Sequence, residues 1–363
     1  MNRRAATWLV LAVLGAACGD DRAEPARDAA PPAREVHLAG IEIGASGLSE
    51  PIEFEVPAQT RSLTIVVRGD GETLYALAAL TTSDGVERVE LPDSVDLPAA
   101  MYRAYNVEQV GAMPGAMYQS IRLGLFPHVY PNRPGDPLPA GTMSLRVAAD
   151  TPGPVDVDLW LPEDDGADVL HLNVFAVSNE RSYDTSDPSA LPFLSELRRV
   201  MAAADIRLEV DAVINLPDSG LDRMTEFTEP QEPPSSMSSQ LALLAGALVD
   251  GDGLNVFVVD AMPSGVGGWS LGTPGPPVPD TYYSGVVLRH IANNAELGRV
   301  AAHEIAHYVG LSHVINRGLS GAVYPDPLDD TEPGTGNLMD GGGTALSPDQ
   351  SFVLSRSAML ELQ

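Results

Sequence analysis

The chain has 363 residues, of which 44% are hydrophobic and 20% are charged, which is enough apolar material for two globular cores. Its 50 acidic residues outnumber 21 basic ones and give a formal net charge of -29. This excess of negative charge repels phosphate backbones, so we expect no nucleic acid among the partners.

The N-terminus has the parts of an export signal. Arg3 and Arg4 precede an apolar run at residues 5–14, and small residues follow up to Cys18. Residues 1–17 are therefore predicted to be a signal peptide, which is too short to cross a bilayer as a mature helix.

Cys18 is the only cysteine, so an internal disulfide is excluded. The junction before it resembles bacterial lipoprotein signals, which implies that the mature protein is attached to a membrane through a lipid on Cys18. Gly15 stands where those signals usually have a large aliphatic residue, so an ordinary secretory cleavage remains the alternative. We expect an outer-membrane or cell-surface lipoprotein, or otherwise an extracellular protein.

Residues 18–35 are rich in Asp, Ala, Pro and Arg without apolar periodicity, which predicts a disordered tether. Residues 36–163 then show short alternating apolar runs, such as 52–56, 63–67 and 155–160, separated by turn residues. Alternation of this kind is typical of strands with one buried face. We therefore predict an all-β sandwich. Its strand spacing resembles that of the β-sandwich accessory modules attached to many secreted bacterial proteases, which implies an accessory domain.

The pattern changes in residues 166–363. Apolar runs that read as strands alternate here with helical patterns, at 171–177, 189–204, 206–210, 239–249, 254–259 and 285–291. Alternating strands and helices predict an α/β domain with a mostly parallel sheet. The chain is thus predicted to be multidomain.

One helix carries the residues of a metal site. Residues 295–309 favour a helix, so His303 and His307 share one face and can direct two nitrogens to one point. Glu304 is rotated by about 100° from His303, which suits a base acting on metal-held water better than a third ligand. Gly310 ends the helix, and the turn returns His313 as the third nitrogen.

Three histidines leave the fourth position of one zinc ion open, as in catalytic sites. The spacing of His303, Glu304, His307, Gly310 and His313 resembles the extended motif of metzincin peptidases, closest to the pappalysin and matrixin branches. This resemblance implies a zinc-dependent metalloendopeptidase that cleaves a protein or peptide substrate with metal-activated water and Glu304 as general base.

The resemblance covers residues 169–363 and has three further implications. A tight turn at residues 337–341 would place Met339 beneath the zinc. A closing helix would begin at the capping-box signature of residues 347–350 and run to about residue 361. The strand at 285–291 would form the sheet edge that binds an extended peptide.

Two other classes stay open. The chain could be an inactive zinc-binding surface lipoprotein with a binding or adhesion role, or a structural protein that uses zinc only for folding. The acidic runs at 250–253 and 326–330 could hold calcium, although turn chemistry explains both runs equally well.

Overall fold

The structure is a computed structural model that describes residues 34–90, 121–224, 236–317 and 323–361, apart from positions 124, 165, 167, 250, 252, 279, 280 and 335. The signal peptide, Cys18 and nearly all of the tether predicted from the sequence lie outside these residues. Among the described residues, no helix is both long and apolar enough to span a membrane.

The described residues between positions 34 and 161 form β-structure. Its described strands are β1 Arg34–Ile43, β2 Ile52–Val56, β3 Leu63–Arg68, β4 Leu74–Thr81, β5 Glu87–Glu90, β6 Ile121–Leu123, β7 Leu125–Tyr130, β8 Gly141–Ala149 and β9 Gly153–Leu161. One antiparallel sheet has the order β1-β9-β3-β7, and the other has the order β2-β8-β4-β5 with β6 on β4. Side chains from both sheets, among them Ile65, Leu80, Leu145 and Leu159, are fully buried in one apolar cluster.

Burial along β2 and β3 follows two different patterns. In β2, Ile52, Phe54 and Val56 point inward and alternate with exposed residues, as its sequence predicts. In β3 the first five residues are all buried, so the expected single buried face is wrong for this strand. The physical reason is a second contact surface, because Val66 packs with Tyr282 and Tyr283 from the C-terminal part of the chain.

The described residues between positions 166 and 361 form a mixed α/β region. Its strands are β10 Val169–Val177, β11 Arg207–Asn215, β12 Leu254–Val259, β13 Gly268–Ser270, β14 Val286–Arg289, β15 Ile315–Arg317, β16 Val323–Pro325 and β17 Leu360–Glu361, and its helices are α1 Leu194–Met201, α2 Met237–Leu248, α3 Asn294–Val309 and α4 Pro348–Leu354. The main sheet has the order β11-β10-β12-β14-β13, with β17 paired to β10. Strands β10, β11, β12 and β14 are parallel, whereas β13 and β17 run antiparallel to their neighbours.

Helices cover both faces of this sheet. Leu172 and Val174 of β10 pack on one face with Leu197 of α1 and Ile305 of α3. Phe175, the next residue of β10, points to the other face and packs with residues of α2. Because successive side chains of a strand point to opposite faces, the apolar run of β10 supplies both cores.

Two helices are shorter than the sequence suggests. The helix expected at 189–204 is divided into a 3₁₀ turn at Pro188–Ala190, α1 and a 3₁₀ turn at Ala202–Ala204. Leu191 is extended, with φ -57° and ψ 126°, because it precedes Pro192. The closing helix ends at Leu354, and the chain then returns to the sheet as β17.

The β-region and the α/β region are joined by contacts beyond the chain between them. Arg61, two residues before β3, is buried, and its Nη2 donates to the carbonyls of Ser357 and Leu360 at 3.0 Å each. The neighbouring Ser62 hydroxyl donates to the Arg356 carbonyl at 2.6 Å. The segment between α4 and β17 is therefore held by the start of β3.

His128 is a titratable residue in the apolar core of the β-region. It lies opposite Ile65 in the β3–β7 ladder and is 1% exposed. Neither of its ring nitrogens has a hydrogen-bond partner within the described residues. Burial lowers the pKa of His128 from 6.5 to about 4, so the folded chain holds a neutral imidazole.

We expect His128 to make the fold sensitive to acid. The imidazole is protonated below pH 6.5 in the unfolded chain but only near pH 4 in the folded chain. The contribution of His128 to the free energy of unfolding is therefore fully present above pH 6.5 and is lost as the pH falls towards 4. At 1.36 kcal/mol per pKa unit this loss amounts to about 3 kcal/mol. Urea unfolding at pH 7 and pH 4.5 should show a smaller acid loss in His128→Leu than in the original chain.

His37→Leu is the control for this experiment. The exposed His37 imidazole forms a hydrogen bond with Asp158 through Nδ1, which raises the pKa of His37. Removing this imidazole should therefore not reduce the acid-induced loss of stability. An equal acid loss in His128→Leu and the original chain would contradict a buried neutral imidazole at position 128.

Candidate metal centre

Local sequence features cap helix α3 at its N-terminus and end it at its C-terminus. The Asn293 side chain accepts hydrogen bonds from the backbone N–H groups of Ala295 and Glu296, which caps the N-terminus. Gly310 ends the helix with φ 130°, a conformation that glycine adopts without strain. Between these ends, His303 and His307 are one turn apart on the same face.

The three predicted ligands converge in the structure. The His303 Nε2 atom lies 3.2 Å from Nε2 of His307 and 3.1 Å from Nε2 of His313, and the latter two atoms are 3.0 Å apart. A tetrahedral zinc ion with Zn–N bonds of 2.0–2.1 Å holds its nitrogens roughly 3.3 Å apart. The triangle is therefore within a few tenths of an ångström of a zinc-binding arrangement.

Hydrogen bonds to the other ring nitrogens favour metal binding. The Nδ1–H of His303 donates to the Leu338 carbonyl at 2.8 Å, and that of His307 donates to the Leu311 carbonyl at 2.7 Å. Because a carbonyl can only accept, these bonds leave the lone pair of each imidazole on Nε2. Burial also lowers the pKa of both side chains and keeps them neutral. The donor set thus fits zinc.

The turn that contains Met339 is hydrogen-bonded to His303 and to the segment that carries His313. Leu338 supplies the carbonyl that orients His303, and the Met339 carbonyl accepts from the N–H of Val314, next to His313. Met339 itself is fully buried. The turn is thereby bonded to one ligand, His303, and to the residue that follows another ligand, His313.

A buried amide pair, which no local sequence pattern indicates, holds this turn. Asn337 Nδ2 donates to Gln350 Oε1 at 2.7 Å, and Gln350 Nε2 donates back to Asn337 Oδ1 at 3.0 Å. Gln350 also completes the capping box with Ser347 at the start of α4. The capping box was visible in the sequence, but it did not indicate that the same amide reaches Asn337.

Glu304 lies beside the triad without joining it. Its side chain is buried, and its carboxylate accepts a hydrogen bond from the backbone of Ser270 in β13. Burial raises the pKa of Glu304 to about 8, and a nearby cation would lower it. A Cβ on Gly268 would lie 2.5 Å from the Glu304 Cγ, so β13 passes directly against this side chain.

This placement corrects the expected sheet edge. The strand predicted at 285–291 corresponds to β14, which pairs with β12 on one side and β13 on the other. The outer strand next to Glu304 in the described part of the sheet is therefore β13. Its three residues contain no apolar run that would mark a strand in the sequence.

The acidic runs give no support for calcium. Asp250 and Asp252 lie outside the described residues. In the other run, Asp326 accepts from the Leu328 N–H and the Thr331 hydroxyl, and Asp330 accepts from residues at the start of α4. These are turn and cap interactions.

No protein-family model and no curated protein matches the chain. Among solved structures, the chain is similar to the archaemetzincin of Methanopyrus kandleri, with 12% sequence identity, coverage of 52% of this chain and 87% of that chain, and a TM-score of 0.27. It is also similar to metalloproteinase-II from Bacteroides fragilis, with 11% identity, coverage of 52% of each chain and a TM-score of 0.29. Likenesses this weak carry no argument about function, which must come from the geometry of the metal centre.

The amide pair behind the turn should tune metal affinity. Asn337→Ala removes the support of the Leu338 carbonyl and should weaken zinc binding roughly 10–100-fold, the usual cost of losing a group that orients a ligand. Gln350→Ala should have the same effect, and the double variant should be no weaker than either single one, because both remove the same pair. Competition with a chromophoric chelator measures the affinity.

Asn179→Ala provides a matched control, since Asn179 is an exposed amide whose Oδ1 accepts a hydrogen bond from the Asp218 N–H. Zinc affinity in Asn179→Ala should equal that of the original chain. Unchanged affinity in Asn337→Ala would show that the turn does not position His303.

Proposed function

We propose that this chain is an exported zinc-dependent endopeptidase of the metzincin type. The observation that carries the proposal is the convergence of three Nε2 atoms at 3.0–3.2 Å, beside a buried carboxylate that is not among the candidate ligands. Three nitrogen ligands leave one zinc position open, and an adjacent carboxylate supplies the general base that such a site requires.

The residues of the chain have distinct roles in this mechanism. His303, His307 and His313 would hold the zinc ion, which lowers the pKa of a water molecule and polarises the substrate carbonyl. Glu304 accepts a proton from the attacking water at a carboxylate oxygen and later delivers it to the leaving amine. The backbone of Ser270 orients that carboxylate.

The substrate would bind along β13. This strand pairs with β14 on one side and is one of the two outer strands of the described sheet. An extended peptide can add to such an edge through main-chain hydrogen bonds, with its scissile bond near the metal. Gly268 allows β13 to approach Glu304 closely, because any side chain at this position would displace the carboxylate.

Glu304→Gln separates peptidase activity from zinc binding. It removes the base but leaves all three ligands, so the zinc content should stay near one ion in the metal centre while turnover falls by on the order of 10²–10⁴. His307→Ala should lose zinc and activity together, because it removes a ligand. Elemental analysis and cleavage of an unstructured protein measure the two properties.

Glu296→Gln is the matched control, because Glu296 is an exposed carboxylate in the first turn of the same helix. It should leave both zinc content and turnover unchanged. Cleavage by Glu304→Gln at the original rate would contradict the proposed mechanism. If the zinc-loaded original chain cleaves no substrate, the chain is a zinc-binding surface protein instead.

The proposal also includes membrane attachment through a lipid on Cys18, which is supported by the signal-like N-terminal sequence. Cys18→Ser should release the mature protein from the membrane fraction or stall signal cleavage. Fractionation and the mass of the mature N-terminus measure this. Fractionation and signal cleavage that are the same in Cys18→Ser as in the original chain would contradict acylation of Cys18.

A further inference from the structure

A second group of metal-ligating side chains lies away from the histidine triad. His171 Nδ1 is 2.8 Å from Asp211 Oδ1 and 2.9 Å from Asp211 Oδ2. Glu209 offers a carboxylate oxygen that lies, with the other two ligand atoms, inside a group no wider than 4.8 Å. One imidazole and two carboxylates thus converge on one point.

The backbone holds these three residues in position. His171 is in β10 and pairs directly with Glu209 in the parallel strand β11. The register then shifts, because Leu172 pairs with Val210 and Asn173 with Ala212, so Asp211 is an extra residue in β11. A bulge of this kind bends its strand and re-aims the side chain that it carries. Here the side chain at the bulge contacts His171.

The group is separate from the zinc centre. His171 and Phe175 are four residues apart in β10 and therefore point to the same face of the sheet, which is covered by α2. Leu172 and Val174 point to the opposite face, which is covered by α3. Because successive residues of a strand point to opposite faces, the two groups of ligands lie on opposite faces of the sheet. His171 and Asp211 are also partly shielded, with side chains 14% and 32% exposed.

The two carboxylates of the group favour binding of a cation. Two carboxylates share one imidazole, and like charges this close disfavour each other. A divalent cation would satisfy both carboxylates and the imidazole together, with water at its remaining positions.

We propose that His171, Glu209 and Asp211 form a second metal site for a divalent transition-metal ion such as zinc. Mixed imidazole and carboxylate ligands suit such ions better than calcium or magnesium. The ion would tie β11, the edge strand, to β10 and so stabilise the sheet. This site goes beyond the proposed peptidase activity and does not depend on it.

Zinc titration of the untagged full chain tests the proposal. After removal of metal with a chelator, calorimetry in 150 mM salt with excess magnesium should detect two zinc equivalents. Asp211→Asn and Glu209→Gln should each weaken one equivalent at least tenfold and leave the other unchanged. His307→Ala should lose the opposite equivalent, so that the two sites are assigned independently of turnover.

Asp168→Asn is the matched control, because it removes a carboxylate from the same sheet edge without touching the proposed ligands. It should retain both equivalents. The proposal fails if the folded original chain binds one equivalent only, or if the second survives in the Asp211→Asn, Glu209→Gln double variant. Weak binding shared by all variants would mean that zinc responds only to the overall negative charge. A melting curve for each variant confirms that it is folded.

Discussion

The packing of Tyr308 joins the metal-bearing helix to the rest of the molecule. Its hydroxyl donates to the Pro276 carbonyl at 2.6 Å, and its own carbonyl accepts from the Gly275 N–H at 2.7 Å. The side chain is almost completely buried, and burial raises the pKa of its hydroxyl, which therefore stays a donor. A Cβ on Gly275 would lie 2.1 Å from the Tyr308 ring, so the loop must have glycine there. Because Tyr308 follows His307 directly, fixing this ring also fixes the backbone of a metal ligand.

The same loop makes the β-region part of the support for the metal centre. Tyr282 and Tyr283, shortly before β14, pack against Val66 and Trp160 on the outer face of the first β-sheet. Aromatic side chains bury large apolar areas, and such contacts dominate the energetics of an interface. The loop is thus held by α3 at one end and by the β-region at the other. This arrangement explains why β3 is buried on both faces.

The metal centre is an unfavourable local arrangement unless a cation is bound. The neutral imidazoles of His303 and His307 direct their Nε2 lone pairs at one point, which Nε2 of His313 also approaches, and the neighbouring Glu304 is buried with its pKa raised to about 8. Burying polar groups away from water costs free energy. A zinc ion would offset this cost by accepting the lone pairs and by lowering the pKa of the carboxylate. Local arrangements that lower the stability of the fold are expected at functional sites.

Local sequence patterns were sufficient for the features that depend on neighbours in the chain. The alternation of β2, the end of α3 at Gly310 and the spacing of His303, Glu304 and His307 all follow from local periodicity and turn chemistry. Which distant groups meet these features depends on the packing of the folded domain. It placed the Leu338 carbonyl on His303, paired Asn337 with Gln350 and made β13 rather than β14 the outer strand beside Glu304. It also brought His171 to Asp211 through a bulge that no local pattern marks. The physical reason is that strand order and register arise from packing between segments far apart in the chain, which local propensity does not encode.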